Sequence, residues 1–160
     1  MSIQVGDRLP NVTLSTMTAD GPADMTTDEI FGGKNVVLFA LPGAFTPTCS
    51  AAHLPGYVVN NDEIKAKGVD TIACLSVNDA FVMGAWGDNQ NVEDNVLMLA
   101  DGSASFTQAI GLELDLSARN FGVRSQRYAM IVDDGVVTHL NVEQGGEFKV
   151  SNAETILGLL

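Results

Sequence analysis

Apolar residues in this chain come in short unbroken runs, separated by polar stretches that carry glycine, asparagine or aspartate. Val36–Leu41 and Val96–Ala100 are such runs, and Val69–Val77 carries one in Ile72, Cys74 and Leu75; they predict strands buried on both faces, as in a parallel sheet. Between the first two, Thr46–Lys67 predicts a helix disturbed at Pro55-Gly56 and closed by Gly68. Asn78-Asp79 caps the next predicted helix, which runs through Phe81, Val82, Met83 and Trp86 and completes a βαβ unit. Ser103–Ile110 predicts a further short helix before Gly111. Nearer the C-terminus, Tyr128–Val132 and Val136–Leu140 flank Asp133-Asp134-Gly135, a hairpin signal. Ser151 and Glu154 stand at capping-box spacing ahead of Ile156, Leu157, Leu159 and Leu160. Before the first run, Ile3–Leu14 predicts an extended lead-in, Gly21-Pro22 a turn, and Thr26–Phe31 a helical turn that stops at Gly32-Gly33. The order βαβ and then ββα predicts an α/β fold with a central mixed sheet flanked by helices.

Composition narrows the class. A length of 160 residues, 46% hydrophobic and 18% charged, suits one domain spanning 1–160. The net charge of −12 argues against nucleic acid or an anionic membrane as partner. No apolar run approaches the ~18 residues of a membrane span and no secretory leader pattern opens the chain, so a cytoplasmic location is expected. The two cysteines, Cys49 and Cys74, form neither a disulfide framework nor the close pair of a zinc site, and reduced thiols fit that compartment. Gly32-Gly33-Lys34 lacks the spacing of a phosphate loop, Gly145-Gly146 reads as a turn, and no Gly-x-Ser-x-Gly elbow occurs. No bound nucleotide, haem, flavin or metal is expected.

The chemistry concentrates at Pro42-Gly43-Ala44-Phe45-Thr46-Pro47-Thr48-Cys49, directly after the first apolar run. Thr46 reads as a helix N-cap and Pro47 as the first helical residue, where a missing N–H costs nothing. Cys49 then falls in the first turn, where unpaired N–H groups and the helix dipole favour an anion, and the anion of cysteine is its nucleophilic form. Making thiolate the major species at neutral pH takes ~2.7 kcal/mol, whereas a helix terminus supplies ~0.3–2 kcal/mol. A nearby cation is therefore required.

Pro42-x-x-x-Thr46-x-x-Cys49, extended by Ser50, by His53-Leu54-Pro55-Gly56, by Ala73–Val82 and by Arg127-Tyr128-Ala129-Met130, resembles the peroxiredoxin family and within it the type II, or peroxiredoxin five-like, group. The likeness runs from about Val5 to the C-terminus. It implies a thioredoxin-like fold and a thiol peroxidase that reduces hydrogen peroxide and organic hydroperoxides. Carried over by position, it implies that Cys49 attacks the peroxide and becomes a sulfenic acid, that the Thr46 hydroxyl bonds the peroxide and the thiolate, and that Pro42 shields the sulfur. Arg127, which immediately precedes the strand Tyr128–Val132, matches the family's active-site arginine and is the missing cation. Arg124 is an accessory candidate and Arg119 reads as a surface charge.

Other residues admit two readings. Cys74 is either a small buried hydrophobe or a redox partner of Cys49. Family members that form an internal disulfide carry a further cysteine near the C-terminus, where this chain has Glu147–Ala153, so a one-cysteine cycle is expected. An external thiol, glutathione with glutaredoxin or else thioredoxin, would regenerate Cys49. His53, four residues after Cys49, is a proton shuttle or a structural hydrogen-bonding group; His139 reads as structural or exposed. Phe45, Phe81 and Trp86 line a peroxide pocket or a core or subunit contact, and the resemblance implies a homodimer through the active-site side. The competing functions are a disulfide oxidoreductase, disfavoured because position 46 is threonine rather than the first cysteine of CxxC, and a peroxide-responsive sensor or binding protein without efficient turnover.

Overall fold

The computed structural model describes residues 1–160. Its main sheet has seven strands: β1 (Thr13–Thr18), β2 (Gly21–Thr26), β3 (Asn35–Ala40), β4 (Thr71–Ser76), β5 (Leu97–Ala100), β8 (Tyr128–Asp133) and β9 (Val136–Val142), in the spatial order β2-β1-β5-β4-β3-β8-β9. The predicted apolar runs form its centre. β4 lies between β3 and β5 and is parallel to both, while β8 pairs antiparallel with β3 and β9 with β8. Asp134-Gly135 makes the two-residue hairpin turn, with φ of 47° and 79°, the left-handed pair that such a turn requires. A separate two-stranded ribbon, β6 (Glu113–Leu116) with β7 (Gly122–Ser125), enclosing a 3₁₀ turn at Ser117–Arg119, has no counterpart among the predicted elements. Nor has the β1–β2 hairpin, and the turn expected at Gly21-Pro22 is corrected to Ala19-Asp20, with Gly21 and Pro22 both inside β2.

Successive residues of β3 serve opposite faces, as the pleat dictates. Val37 and Phe39 belong to a core shared with Cys49, Leu54, Tyr57, Cys74, Trp86 and Ile156, beneath α2 (Leu54–Val59), α3 (Asn61–Ala66), α4 (Ala80–Asn89) and α6 (Ala153–Leu157). Val36, Leu38 and Ala40 join Ile30, Phe31, Phe106 and Tyr128 on the other face, beneath α1 (Thr27–Phe31) and α5 (Ser105–Ala109). All of β3 from Val36 to Ala40 is fully buried, so the residue after it emerges from the centre of the molecule with little freedom to move.

Three local expectations are corrected. The helix predicted over Thr46–Lys67 is divided: a π-turn occupies Cys49–His53, with the Leu54 N–H bonded to the Cys49 carbonyl, and a second break comes at Asn60. The main disturbance thus precedes Pro55-Gly56, because in a regular turn the Pro55 ring would collide with the carbonyl four residues earlier, and the wider turn before it relieves that. At the last helix the cap is Asn152, which accepts from the Thr155 N–H at 2.9 Å, and not Ser151. Ser151 is engaged elsewhere, at the site described next.

Candidate active site

The loop after β3 is pinned from both sides. The Ala44 N–H donates to Asn78 Oδ1 at 3.0 Å, and that oxygen also accepts from Ser76 Oγ at 2.6 Å, so the loop is tied to the end of β4. Asp79 caps α4 by accepting from the Val82 N–H. Phe45 takes a left-handed backbone conformation with φ of 64°, costing ~1–2 kcal/mol that the surrounding ties must cover. Helical structure begins at Pro47, and the Thr46 carbonyl accepts the first helical bond, from the Ser50 N–H at 2.9 Å. The Thr46 hydroxyl does not cap that helix. It donates to the Gly43 carbonyl at 2.7 Å, so its proton is committed and its lone pairs are free to accept from a group in the adjoining cleft.

Cys49 is fully buried in this frame, and the Arg127 guanidinium meets it there: Nη2 donates to Sγ at 3.3 Å. Nη1 of the same group lies 2.8 Å from His53 Nδ1. A guanidinium only donates, so Nδ1 must be the accepting nitrogen; His53 Nε2, 3.1 Å from the Ser151 carbonyl, must carry the proton. His53 is thereby fixed as one neutral tautomer. Burial first, and then the Arg127 charge, lowers its pKa to about 3. With both nitrogens committed and protonation so disfavoured, the geometry is that of the structural alternative and not of a proton shuttle.

The Ser151 carbonyl also accepts from the Tyr57 hydroxyl at 2.7 Å, and burial pushes the Tyr57 phenol up so that it stays a donor. Its ring stacks on Phe39 with centroids 4.0 Å apart. Behind Ser151 stands Glu143. Its carboxylate accepts from the backbone N–H groups of Lys149, Val150 and Ser151 and from the Ser151 hydroxyl, at 2.7–2.9 Å. Burial alone would raise the Glu143 pKa, but these donors outweigh it and hold the carboxyl below its usual range. The Glu143 N–H in turn donates to the Arg127 carbonyl at 2.9 Å. A continuous path therefore runs from Glu143 through Ser151 and His53 to Arg127 and the sulfur. Neither Glu143 nor Ser151 carried a sequence signal for this, since a buried carboxylate bonded to backbone leaves no spacing to detect.

Arg124 does not reach Cys49. Its Nη1 donates to the Pro42 carbonyl at 3.1 Å and its Nε to the Phe121 carbonyl at 3.0 Å, bracing the loop. Gly43 makes room for it, because a Cβ there would sit 2.7 Å from Arg124 Nη1. Cys74 is fully buried in β4 and both cysteines are free. Burial, then the proximity of Cys49, pushes its thiol pKa well up. His139 lies half-buried on β9 against its neighbour Thr138. Trp86 is buried and donates to Ser50 Oγ at 3.0 Å, whereas Phe45 and Phe81 are 52% and 67% exposed. Pro42, Thr46, Pro47 and Arg127 open onto a cleft of about 560 Å³, whose far wall is Leu114, Leu116, Arg119 and Phe121 from the β6–β7 ribbon. Arg119, read from sequence as a surface charge, is exposed and stands in that wall.

A buried sulfur with a guanidinium donor, beside a cleft of ligand size, is an arrangement for nucleophilic attack on a small polar substrate. Comparison with known proteins agrees. The model of the Redoxin family matches residues 4–157. Peroxiredoxin-2E-2, chloroplastic, of Oryza sativa is 53% identical over 164 residues, covering 99% of this chain and 73% of that protein. Among solved structures, reduced Prx3 of Vibrio vulnificus in complex with hydrogen peroxide superposes with a TM-score of 0.95 at 64% identity, over 98% of each chain. A 1-Cys peroxiredoxin, the antioxidant protein of Plasmodium falciparum, superposes with a TM-score of 0.91 at 28% identity, over 98% of each chain. The sheet and its flanking helices are thus a thioredoxin-like peroxiredoxin fold, and the chain belongs to the peroxiredoxin family of thiol peroxidases.

Proposed function

We propose that the protein reduces hydrogen peroxide and organic hydroperoxides by a one-cysteine cycle at Cys49. The observation that carries this is the Arg127 guanidinium, held by neutral His53 and directed at Cys49 Sγ. The thiolate lone pair attacks the terminal peroxide oxygen, the O–O bond breaks, and the departing hydroxide or alkoxide takes a proton to leave as water or alcohol. The terminal O–H remains on sulfur as Cys49 sulfenic acid. Arg127 stabilises the thiolate and the charge that develops on the leaving oxygen; Thr46 accepts from the peroxide O–H; Pro42 restricts water. His53 and Arg124 are positioning residues, the first for Arg127 and the second for the loop.

Cys74 stays outside the cycle in this reading, because it is locked in register between β3 and β5 and joining it to Cys49 demands movement of the sheet or the π-turn. One external thiol then condenses with the sulfenic acid, releasing water, and a second displaces Cys49 from the mixed disulfide. Glutathione with glutaredoxin, or thioredoxin, supplies those thiols, with no bound cofactor needed. In this reading the whole chain acts as one thioredoxin-like unit, located in the cytoplasm. Phe45 in the loop after β3 and Phe81 on α4 are exposed, and they favour a homodimer formed on that side.

Steady-state peroxide consumption by the native protein, Cys49→Ser and Cys74→Ser, with each reductant in turn, tests the reading. Turnover lost only in Cys49→Ser is the expected result. Loss in both variants would place Cys74 in the cycle, and a single equivalent consumed without turnover under every reductant would make the protein a sensor.

A further inference from the structure

Three of the four arginines in a chain of net charge −12, Arg119, Arg124 and Arg127, lie at or beside the active-site cleft. Two have assigned partners. Arg127 is bonded to Cys49 and His53, and Arg124 to two backbone carbonyls. Arg119 has neither a hydrogen bond nor an acidic group within ion-pair distance: the single salt bridge of the molecule joins Lys149 to Glu147 at 3.5 Å. Two acidic residues, Glu143 and Glu147, line the same cleft, and they and Asp115 are engaged. Glu143 is saturated by backbone donors, Glu147 pairs with Lys149, and Asp115 accepts from the N–H and hydroxyl of Ser117. The cleft thus has an unspent cation in its outer wall, apolar Leu114, Leu116 and Phe121 beside it, and at its reactive end Thr46 and Arg127, the latter bonded to buried Cys49 behind it. Its volume of about 560 Å³ far exceeds what hydrogen peroxide needs and lies within the range of sites for drug-sized ligands.

We propose that this cleft selects organic hydroperoxides that carry a carboxylate remote from the –OOH group, with Arg119 anchoring the carboxylate and Leu114, Leu116 and Phe121 lining the path of the carbon chain. The proposal rests on the peroxidase reading above and specifies its substrate. The complementarity is of two kinds, charge at one end and apolar surface between, and a fork of N–H donors suits a carboxylate in particular. The reaction is unchanged in its balance: the terminal oxygen passes to Cys49 sulfur and the hydroxy acid leaves. A carboxylate could equally belong to the thiol reductant, glutathione, so the test isolates the oxidative half-reaction.

Pre-reduced protein without any reductant is mixed with ω-hydroperoxyoctanoate or with its methyl ester, and the alcohol formed in the first turnover is quantified by quenched flow. The native protein is expected to prefer the acid over the ester by about fivefold, the scale of a partly exposed ion pair, and Arg119→Ala to reduce that ratio toward one. Raising the salt concentration should erode the preference in parallel. An acid-to-ester ratio near one in the native protein, or a preference that survives Arg119→Ala, overturns the proposal. So does a ratio near one combined with slower regeneration of Arg119→Ala by glutathione, which would assign the anchor to the reductant. Hydrogen peroxide run alongside separates the two levels: if native protein fails to consume it, the peroxidase reading itself has failed.

Discussion

His53 makes folding stability depend on pH over a range whose upper part, above about pH 5, lies clear of ordinary carboxylates. In the folded protein its pKa is lowered to about 3 from 6.5, by burial and then by Arg127, whereas in the unfolded chain it returns to the ordinary value. Between those limits the unfolded state binds the extra proton, so stability rises with pH: the contribution is complete above about 6.5 and is lost as pH falls toward about 3. At ~1.4 kcal/mol per pH unit, a fall from about pH 7.5 to about pH 5 should cost the native protein about 2 kcal/mol. For a chain of this length that is about 4–8 °C in melting temperature. Glu143 does not obscure the window. Its depressed carboxyl contributes stability that is present above the ordinary carboxylate range and is lost only as pH falls through its own lower value. The assay is urea unfolding of the native protein and of His53→Gln at both pH values; glutamine offers an amide N–H to Ser151 and an oxygen to Arg127 but has no proton to gain. The variant should lose about 2 kcal/mol less than the native protein between the two pH values. Equal losses would refute the argument that His53 is held neutral by its surroundings.

Three further perturbations test the rest of the site. Arg127→Gln removes a charged donor from Cys49 Sγ, and a hydrogen bond involving an ionised group, worth ~1.5–3 kcal/mol, predicts a drop of about 10- to 150-fold in the single-turnover rate with hydrogen peroxide; an unchanged rate would mean that the contact does not serve the reaction. Glu143→Gln keeps the shape of the side chain but turns charge-assisted bonds into neutral ones, so thermal melts should show a loss of about 2 kcal/mol; an unchanged melt would mean that the segment Lys149–Ser151 does not depend on it. Gly43→Ala places a methyl group 2.7 Å from Arg124 Nη1 and 3.2 Å from Thr46 Cγ2, and it should slow peroxide reduction without removing any group that touches the sulfur; adding Arg124→Ala to it should give less than the sum of the two single losses, as expected if both act partly through one contact.

What the sequence revealed and what it hid divide along the range of the interactions. The strands of the sheet centre were legible because Val36–Leu41 and Tyr128–Val132 are apolar at every position, and only a strand covered on both faces needs that. The Asp134-Gly135 turn was legible because its backbone demands residues tolerant of positive φ. By contrast, β6 alternates exposed and half-buried residues and β7 is half-buried up to Ser125, without the apolar continuity or the two-residue turn that marks a hairpin, and so the wall of the active-site cleft went unpredicted. The π-turn was misplaced by a few residues because proline marks where a helix cannot continue regularly, whereas the chain relieves the clash on the N-terminal side. That displacement bears on the chemistry, because the widened turn includes both Cys49 and His53. The residues that hold Arg127 in place belong to the same hidden class. His53 was visible by its spacing from Cys49, but the choice between shuttle and support depended on which acceptor stood behind it, and that acceptor is a backbone carbonyl on a segment 98 residues away, ordered by a carboxylate whose partners are mostly backbone. A family motif points to Cys49 because its helix start is local. The groups that surround its sulfur are held by a chain of donors and acceptors that only the folded sheet brings together, and this is why substitutions at Glu143 or Ser151, outside the motif, should change how Cys49 reacts.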